Sequence, residues 1–330
     1  MSPFAAPAAP EAGTVAGLPA DPAALFPEGD GYFGKRHRKR RTQLLERLRE
    51  VLGKALAPGE TIRFAARGLR YNGAEFYFAG YAAYYHNQVA LIVTDRRLLL
   101  LQLSGRKPGH LKNQVALENV RDVRQSAILG RLLTFKLADG KSLQLSGLPG
   151  ADRKVLRQLV VGVEGPKVAG PALEALCPAC LVPVPGPIGA TPVCPSPTCR
   201  IPFRDPKKAA RLSGLVPGLG DLYLGHHFFG SVEFLGSMAL LGLGLGFLAT
   251  EPGVGLLGLL LFVGLPRAID YPLTLHMGRK GLVPLAQAPA PGAQPRNLPM
   301  FPAWAFLLFA VGVAAAGLIA WDFIASGAGA

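Results

Sequence analysis

The sequence predicts a multidomain α+β membrane protein, and three observations make that prediction. Strand-like alternation fills residues 60–146 and ends in one helical pattern, which describes an antiparallel sheet closed by a C-terminal helix. All four cysteines fall between Cys177 and Cys199. Beyond residue 212 three apolar stretches run almost without charge. The composition agrees. Hydrophobic residues make up 50% of the 330 positions and charged residues only 17%, and the mean hydropathy is +0.29. The net charge of +14 is unevenly spread: residues 1–211 carry 31 Lys and Arg against 16 Asp and Glu, whereas residues 212–330 carry 4 against 5. A basic, polar front half is joined to a nearly uncharged back half, as expected for a soluble part attached to a membrane part. Four cysteines are too few for a disulfide-dense secreted scaffold.

Residues 1–34 are rich in Ala and Pro and contain acids such as Glu11 and Asp21. They lack a charged stretch followed by an apolar core, so no secretory signal is expected. They read as a disordered tail, and the front half is expected to remain in the cytoplasm.

Residues 35–57 read as a basic amphipathic helix. Lys35, Arg36, Arg38, Lys39, Arg40 and Arg41 fall within seven positions, with His37 among them. Leu44, Leu45, Leu48, Val51, Leu52, Ala55 and Leu56 follow at helical spacing. Three readings are open. Each cation near an anionic leaflet contributes about 1 kcal/mol, so the run suits a lipid surface, with the apolar stripe resting on lipid or protein. A nucleic acid is the second candidate. The third is a solvated charge run leading into an ordinary packed helix.

Residues 58–164 carry the strands. Ile62, Phe64 and Ala66 alternate with polar residues, residues 75–85 are rich in Phe and Tyr, and residues 89–93 form a short apolar run. Thr94-Asp95-Arg96 reads as a turn, and residues 98–103 run back. Residues 115–123 and 132–137 are two further strand candidates. Asp139-Gly140 supplies the positive φ of a hairpin turn before a return over 142–145. Val155, Leu156, Leu159 and Val160 then repeat at helical spacing. The run Leu91-Ile92-Val93-Thr94-Asp95-Arg96-Arg97-Leu98, with the strand at 115–123 after it, resembles bacterial PH-like domains of the YokE/GRAM-like kind. The resemblance implies a PH-like antiparallel β-roll with a C-terminal helix. Such domains bind lipids, bind proteins or scaffold, so the fold leaves the function open. Arg96 and Arg97 in the hairpin are candidates for holding phosphate, or else surface residues flanking the turn. His86 and His110 have no nucleophile motif beside them, and the chain has no phosphate-binding loop, dinucleotide fingerprint or zinc-protease helix. No catalytic residue is assigned.

The cysteines are spaced C-x2-C-x13-C-x4-C, as Cys177, Cys180, Cys194 and Cys199. Two thiolate pairs joined by a loop suit structural Zn²⁺, and iron takes the same ligands. Pro178 and Pro195 stiffen the two turns. Residues 172–204 resemble a zinc ribbon, with a second knuckle two residues longer than usual. A cytoplasmic setting disfavours disulfides, and four thiolates leave no open position for catalysis. The loop between the pairs has no Lys, Arg or aromatic residue, which disfavours nucleic acid there.

The back half predicts three spans: a hairpin within residues 212–276, a Pro/Ala-rich linker over 277–301 and a third helix over 302–325. Trp304 and Trp321 stand near the ends of the last as interface anchors. Lys207, Lys208, Arg211, Arg267, Arg279, Lys280 and Arg296 fall on one side of these spans, which predicts a cytoplasmic N-terminus and an outer C-terminus. Pro217-Gly218-Leu219-Gly220-Asp221-Leu222-Tyr223-Leu224-Gly225, with Gly230 after it, resembles the signature of the TM2-domain family. The resemblance implies a membrane hairpin and no known chemistry. Asp221, His226, Glu233 and Asp270 are polar candidates at membrane depth, for a metal or proton site or for local pairing at headgroup level. Gly242, Gly244 and Gly246 provide small faces for helix packing.

Together these readings predict a bacterial inner-membrane, multi-pass, non-enzymatic adaptor. Its cytoplasmic modules would bind a protein partner or the anionic membrane surface, and its membrane helices would contact lipid or a second copy. A membrane-tethered nucleic-acid binder and a small transporter subunit using Asp221, Glu233 and Asp270 are the alternatives.

Overall fold

A computed structural model describes residues 13–27, 32–70, 87–104, 107–126, 132–160, 171–285, 301 and 303–327. The aromatic-rich segment 75–85, His86, residues 1–12 of the tail and linker residues 165–170 and 286–300 lie outside the described residues. The chain divides into two compact units, Met1–Leu176 and Cys177–Ala330.

In the first unit, strands β1 (Gly13–Val15), β2 (Leu18–Ala20), β3 (Ile62–Leu69), β4 (Gln88–Thr94), β5 (Arg97–Ser104) and β6 (Lys107–Ala116) lie side by side in that order. β10 (Glu174–Leu176) pairs antiparallel with β6. A second sheet holds β7 (Val120–Gln125), β8 (Leu133–Leu137) and β9 (Ser142–Leu145). The interior joins the two sheets: Phe64, Leu91, Val93, Leu98 and Leu100 of the first meet Val123, Phe135 and Leu145 of the second. Helix α3 (Gly150–Val160) closes this core with Leu156 and Val160. Side chains alternate along a strand, so Ala65, Ile92 and Leu99 point to the other face of the first sheet. They too are fully buried. Helix α2 (Tyr32–Ala55) accounts for this, because it packs on β2, β3 and β6 and so crosses the sheet. Covered on both faces, β4 reads as an unbroken apolar run rather than an alternating one.

The structure corrects two expectations here and decides one that was open, in favour of an ordinary packed helix for α2. Residues 13–27 are not a disordered tail. They form β1, β2 and helix α1 (Pro22–Leu25), with Leu18, Ala20 and Leu25 buried. Asp21 caps α1 by accepting from the N–H groups of Ala23 and Ala24 at 3.0 and 3.1 Å. Second, the apolar stripe of α2 does not await lipid. Arg41, Leu45, Leu48 and Leu52, spaced at successive helical turns, are buried within the unit. Third, residues 115–123 are not one strand. β6 ends at Ala116, a 3-10 turn spans Leu117–Asn119, and β7 departs into the second sheet. Apolar pattern cannot register that switch, because Val115, Leu117, Val120 and Val123 all serve the same core.

The second unit begins with the cysteine module, including the short strand β11 (Pro183–Val184). Helix α4 (Pro206–Leu215) follows, capped by Asp205, which accepts from the Lys207 N–H at 2.8 Å. Then come α5 (Leu219–Leu224), α6 (His227–Thr250) and α7 (Pro252–Leu265), which runs through a π-turn at Pro266–Asp270 into α8 (Tyr271–Gly278). The last helix is α9 (Ala303–Gly327). Among the described residues two helices, His227–Thr250 and Pro252–Gly278, are long and apolar enough to cross a membrane.

Glycine sets the close contacts. A Cβ on Gly230 would stand 2.6 Å from the Gly218 carbonyl oxygen and 2.7 Å from the Leu222 nitrogen, so α6 crosses the α5 turn backbone to backbone. Gly242 and Gly244 lie about 200° apart around α6 at helical pitch. A Cβ on Gly242 would meet Ala316 of α9, and one on Gly244 would meet Leu259 of α7. The chain after α8 is not linker throughout. Pro284 bridges Phe203, the Arg204 N–H donates to the Val283 carbonyl at 2.8 Å, and the Leu285 N–H donates to the Pro202 carbonyl at 2.7 Å. This segment therefore ties the end of the helical hairpin to the cysteine module.

Candidate metal centre, basic helix and buried polar cluster

The two cysteine knuckles close in the same way despite their unequal lengths. In the first, the Cys177 N–H donates to the Val182 carbonyl at 3.0 Å and Leu181 takes a φ of +61°. In the second, the Cys194 N–H donates to the Ile201 carbonyl at 2.9 Å and Arg200 takes a φ of +44°. Each positive φ falls on the residue just after the second cysteine of its pair. It reverses the chain so that both sulfurs face one point. The two extra residues of the second knuckle are absorbed in a turn, where Cys199 and Arg200 both donate to the Ser196 carbonyl.

All four ligand atoms lie within 4.8 Å of one another, with Sγ separations of 3.8 Å for Cys177–Cys199 and 3.5 Å for Cys180–Cys194. Four sulfurs about 2.3 Å from a tetrahedral Zn²⁺ would stand about 3.8 Å apart, so the spacing fits a metal. A disulfide needs about 2.0 Å, and the four cysteines are free. Cys177, Cys194 and Cys199 are buried. Burial pushes the Cys177 thiol up to about 11 and raises the Cys194 thiol as well. At Cys180 burial is outweighed by the Val182 N–H and the neighbouring thiols, which hold it below its usual value. A bound cation would supply the charge that turns such thiols into thiolates.

The basic run divides into two populations. Lys35, Arg36, Arg38, Lys39 and Arg40 are exposed on α2. Arg41 is not among them, which corrects its place in a surface patch. It is 4% exposed, ion-paired with Asp152 of α3, and donates to the Leu25 carbonyl at 2.5 Å. The hairpin arginines divide in the same way. The Arg96 side chain is 54% exposed and lies 3.9 Å from Asp95. Arg97 is structural. It donates to both oxygens of Glu60 at 2.8 and 2.7 Å, to the Ala55 carbonyl at the end of α2, and to Gln114 of β6. Sequence reasoning passed over Glu60 and Asp152, the two acids that claim these arginines.

Asp221, His226, Glu233 and Asp270 do come together. Asp221 is 3% exposed, its carboxylate 2.8 Å from His226 Nδ1 and 3.4 Å from the Thr274 hydroxyl. Thr274 also bonds Ser213 at 2.9 Å, so α4, α5 and α8 share one buried polar junction. Asp221 is the electrostatic neighbour of both Glu233 and Asp270.

No family model matches the chain, and no curated protein matches it. Among solved structures it is similar to the crystal structure of the linker-DH/PH domains of p115-RhoGEF, at 13% identity with a TM-score of 0.25. That match covers 39% of this chain and 42% of the other, so the chain spans less than half the length of that neighbour. At this level of similarity the neighbour decides neither fold nor function.

Proposed function

We propose that this chain is a non-enzymatic, membrane-anchored adaptor with a PH-like domain, a zinc ribbon and a TM2-like hairpin followed by a third span. Its soluble modules face the cytoplasm and engage the anionic membrane surface or a protein partner. One observation carries this reading: five cations, from Lys35 to Arg40, stand exposed on α2 while the buried face of the same helix is spent on its own domain. Arg38 also lies over the Phe26 ring at 5.3 Å, and an anionic surface suits the exposed row that Lys35, Arg36 and Lys39 make on the same helix. Support for anchoring comes from Leu256, Leu257 and Leu260, which are 54%, 58% and 61% exposed on one helix. Leucines in such a row belong in lipid rather than water.

The test is amide exchange over residues 32–40 of the full chain, in neutral phosphatidylcholine nanodiscs and in nanodiscs one-third phosphatidylglycerol. Slower exchange in the anionic discs, reversed by high salt and absent in the variant K35Q/R36Q/K39Q, is expected. Identical exchange in both discs removes the lipid surface from the account. The search then moves to a stoichiometric protein partner, recovered from native membranes in mild detergent.

A further inference from the structure

The surface of the first unit carries an open cleft of about 540 Å³ between α2, β3 and the start of α3. His37, Arg40, Arg41 and Arg47 line it from α2, Arg67 from β3 and Asp152 from α3. Residues 37, 40, 41, 44 and 47 recur at helical spacing, so one stripe of α2 faces this space. Four arginines meet a single carboxylate, and that carboxylate is engaged by Arg41. Arg47 of α2 and Arg67 of β3 act on each other as like charges, and Arg67 also donates to the Gln88 side-chain oxygen of β4. Burial lowers the pKa of Arg47, and the charge of Arg67 lowers it further. The pair therefore sits in a field that favours a negative charge between them. A guanidinium offers five N–H groups in a planar fork that matches phosphate oxygens. Leu44 and Leu103 add apolar wall, and the volume falls in the range of about 300–1,000 Å³ typical of small-molecule sites.

We propose that this cleft binds a terminal phosphate or diphosphate group, carried either by a soluble metabolite or by a lipid headgroup, with Arg47 and Arg67 clamping it from the two walls. The site uses residues apart from the exposed ridge of Lys35, Arg36 and Lys39, and it does not rest on the adaptor reading.

Full-length protein in phosphatidylcholine nanodiscs is titrated with inorganic pyrophosphate by calorimetry at constant ionic strength. Saturable binding is expected, weakened about tenfold or more in R47Q/R67Q and unchanged in K35Q/R36Q. The same titration in discs containing phosphatidic acid identifies the source. Loss of pyrophosphate binding there places a lipid headgroup in the cleft, and retained binding assigns it to a soluble phosphate compound. Circular dichroism checks the fold of the double variant. R67Q alone, altered at an exposed position, repeats the test should the double variant misfold. No saturable heat with the wild-type protein, or equal affinity in a folded R47Q/R67Q, overturns the proposal.

Discussion

Arg97 and Glu60 form a closed ionic clasp, both carboxylate oxygens accepting from one guanidinium at 2.8 and 2.7 Å. The Glu60 side chain is fully buried and also accepts from the Thr94 hydroxyl and the Ala57 N–H, each at 2.8 Å. Through the Ala55 carbonyl and Gln114 the same guanidinium joins the end of α2 to β6. The turn that leads into β5 is thereby locked to the helix that covers the sheet.

Removing one partner of this clasp strands the other in the interior. E60Q is expected to destabilise the first unit by about 3–5 kcal/mol, the range for a broken buried pair. Hydrogen exchange in the β4–β5 hairpin measures it. The pH dependence has a definite sign. Burial pushes the Glu60 carboxyl up, but Arg97, the Ala57 N–H and the Thr94 hydroxyl together hold it below the usual carboxylate range. The folded value is thus below the unfolded one. Its contribution is present above the unfolded value and is lost as pH falls through the folded value. The wild-type protein should lose stability on acidification more steeply than E60Q, and parallel curves would refute the assignment.

Arg41 and Asp152 make a second buried pair, and Arg41 also holds the Leu25 carbonyl of α1. R41Q should release residues 13–27, which limited proteolysis would report as early cleavage there. D152N should destabilise α3 by a few kcal/mol, about 3 by the same reasoning. The double variant R41Q/D152N should lose less than the sum of the two, because neither charge is left alone.

The cysteine centre predicts about one tetrahedral metal ion per chain, measured by elemental analysis of the purified protein. A strong chelator, or C194S, should open the knuckles and speed amide exchange over residues 177–204. Metal binding and local folding are one equilibrium when thiols must ionise to ligate. A metal-free protein with unchanged exchange would defeat the assignment.

Where α6 crosses the α5 turn, G230A should be destabilising by about 1–3 kcal/mol, since its Cβ would press on the Gly218 carbonyl and the Leu222 nitrogen. Gly236 lies six residues further along the same helix, with nothing within 4 Å of a Cβ. G236A should be neutral or gain up to about 1 kcal/mol from helix propensity. Thermal unfolding in detergent compares the two, and equal melting temperatures would contradict the backbone crossing.

Much of this was readable in the chain. The β4–β5 hairpin and the Asp139-Gly140 turn, where Gly140 takes a φ of +80°, lie where alternation and turn chemistry placed them. The four cysteines converge as their spacing implied. β6 was half hidden, because Lys-Pro-Gly-His at its start carries no alternation. Residues 281–285 looked like linker because a single bridge and backbone bonds to residues 202–204 need no apolar signature.

Local rules therefore settled what neighbours along the chain can settle: turns, helix stripes, cysteine knuckles and apolar lengths, all governed by periods of two to four residues. Which arginine faces water and which is buried was decided only by the fold. Arg40 and Arg41 are adjacent and chemically alike, yet one is exposed and the other pairs with an acid 111 residues away. The same holds for Arg96 and Arg97, whose partner Glu60 lies 37 residues before Arg97. Charge acts through space, and only the packed chain sets those distances.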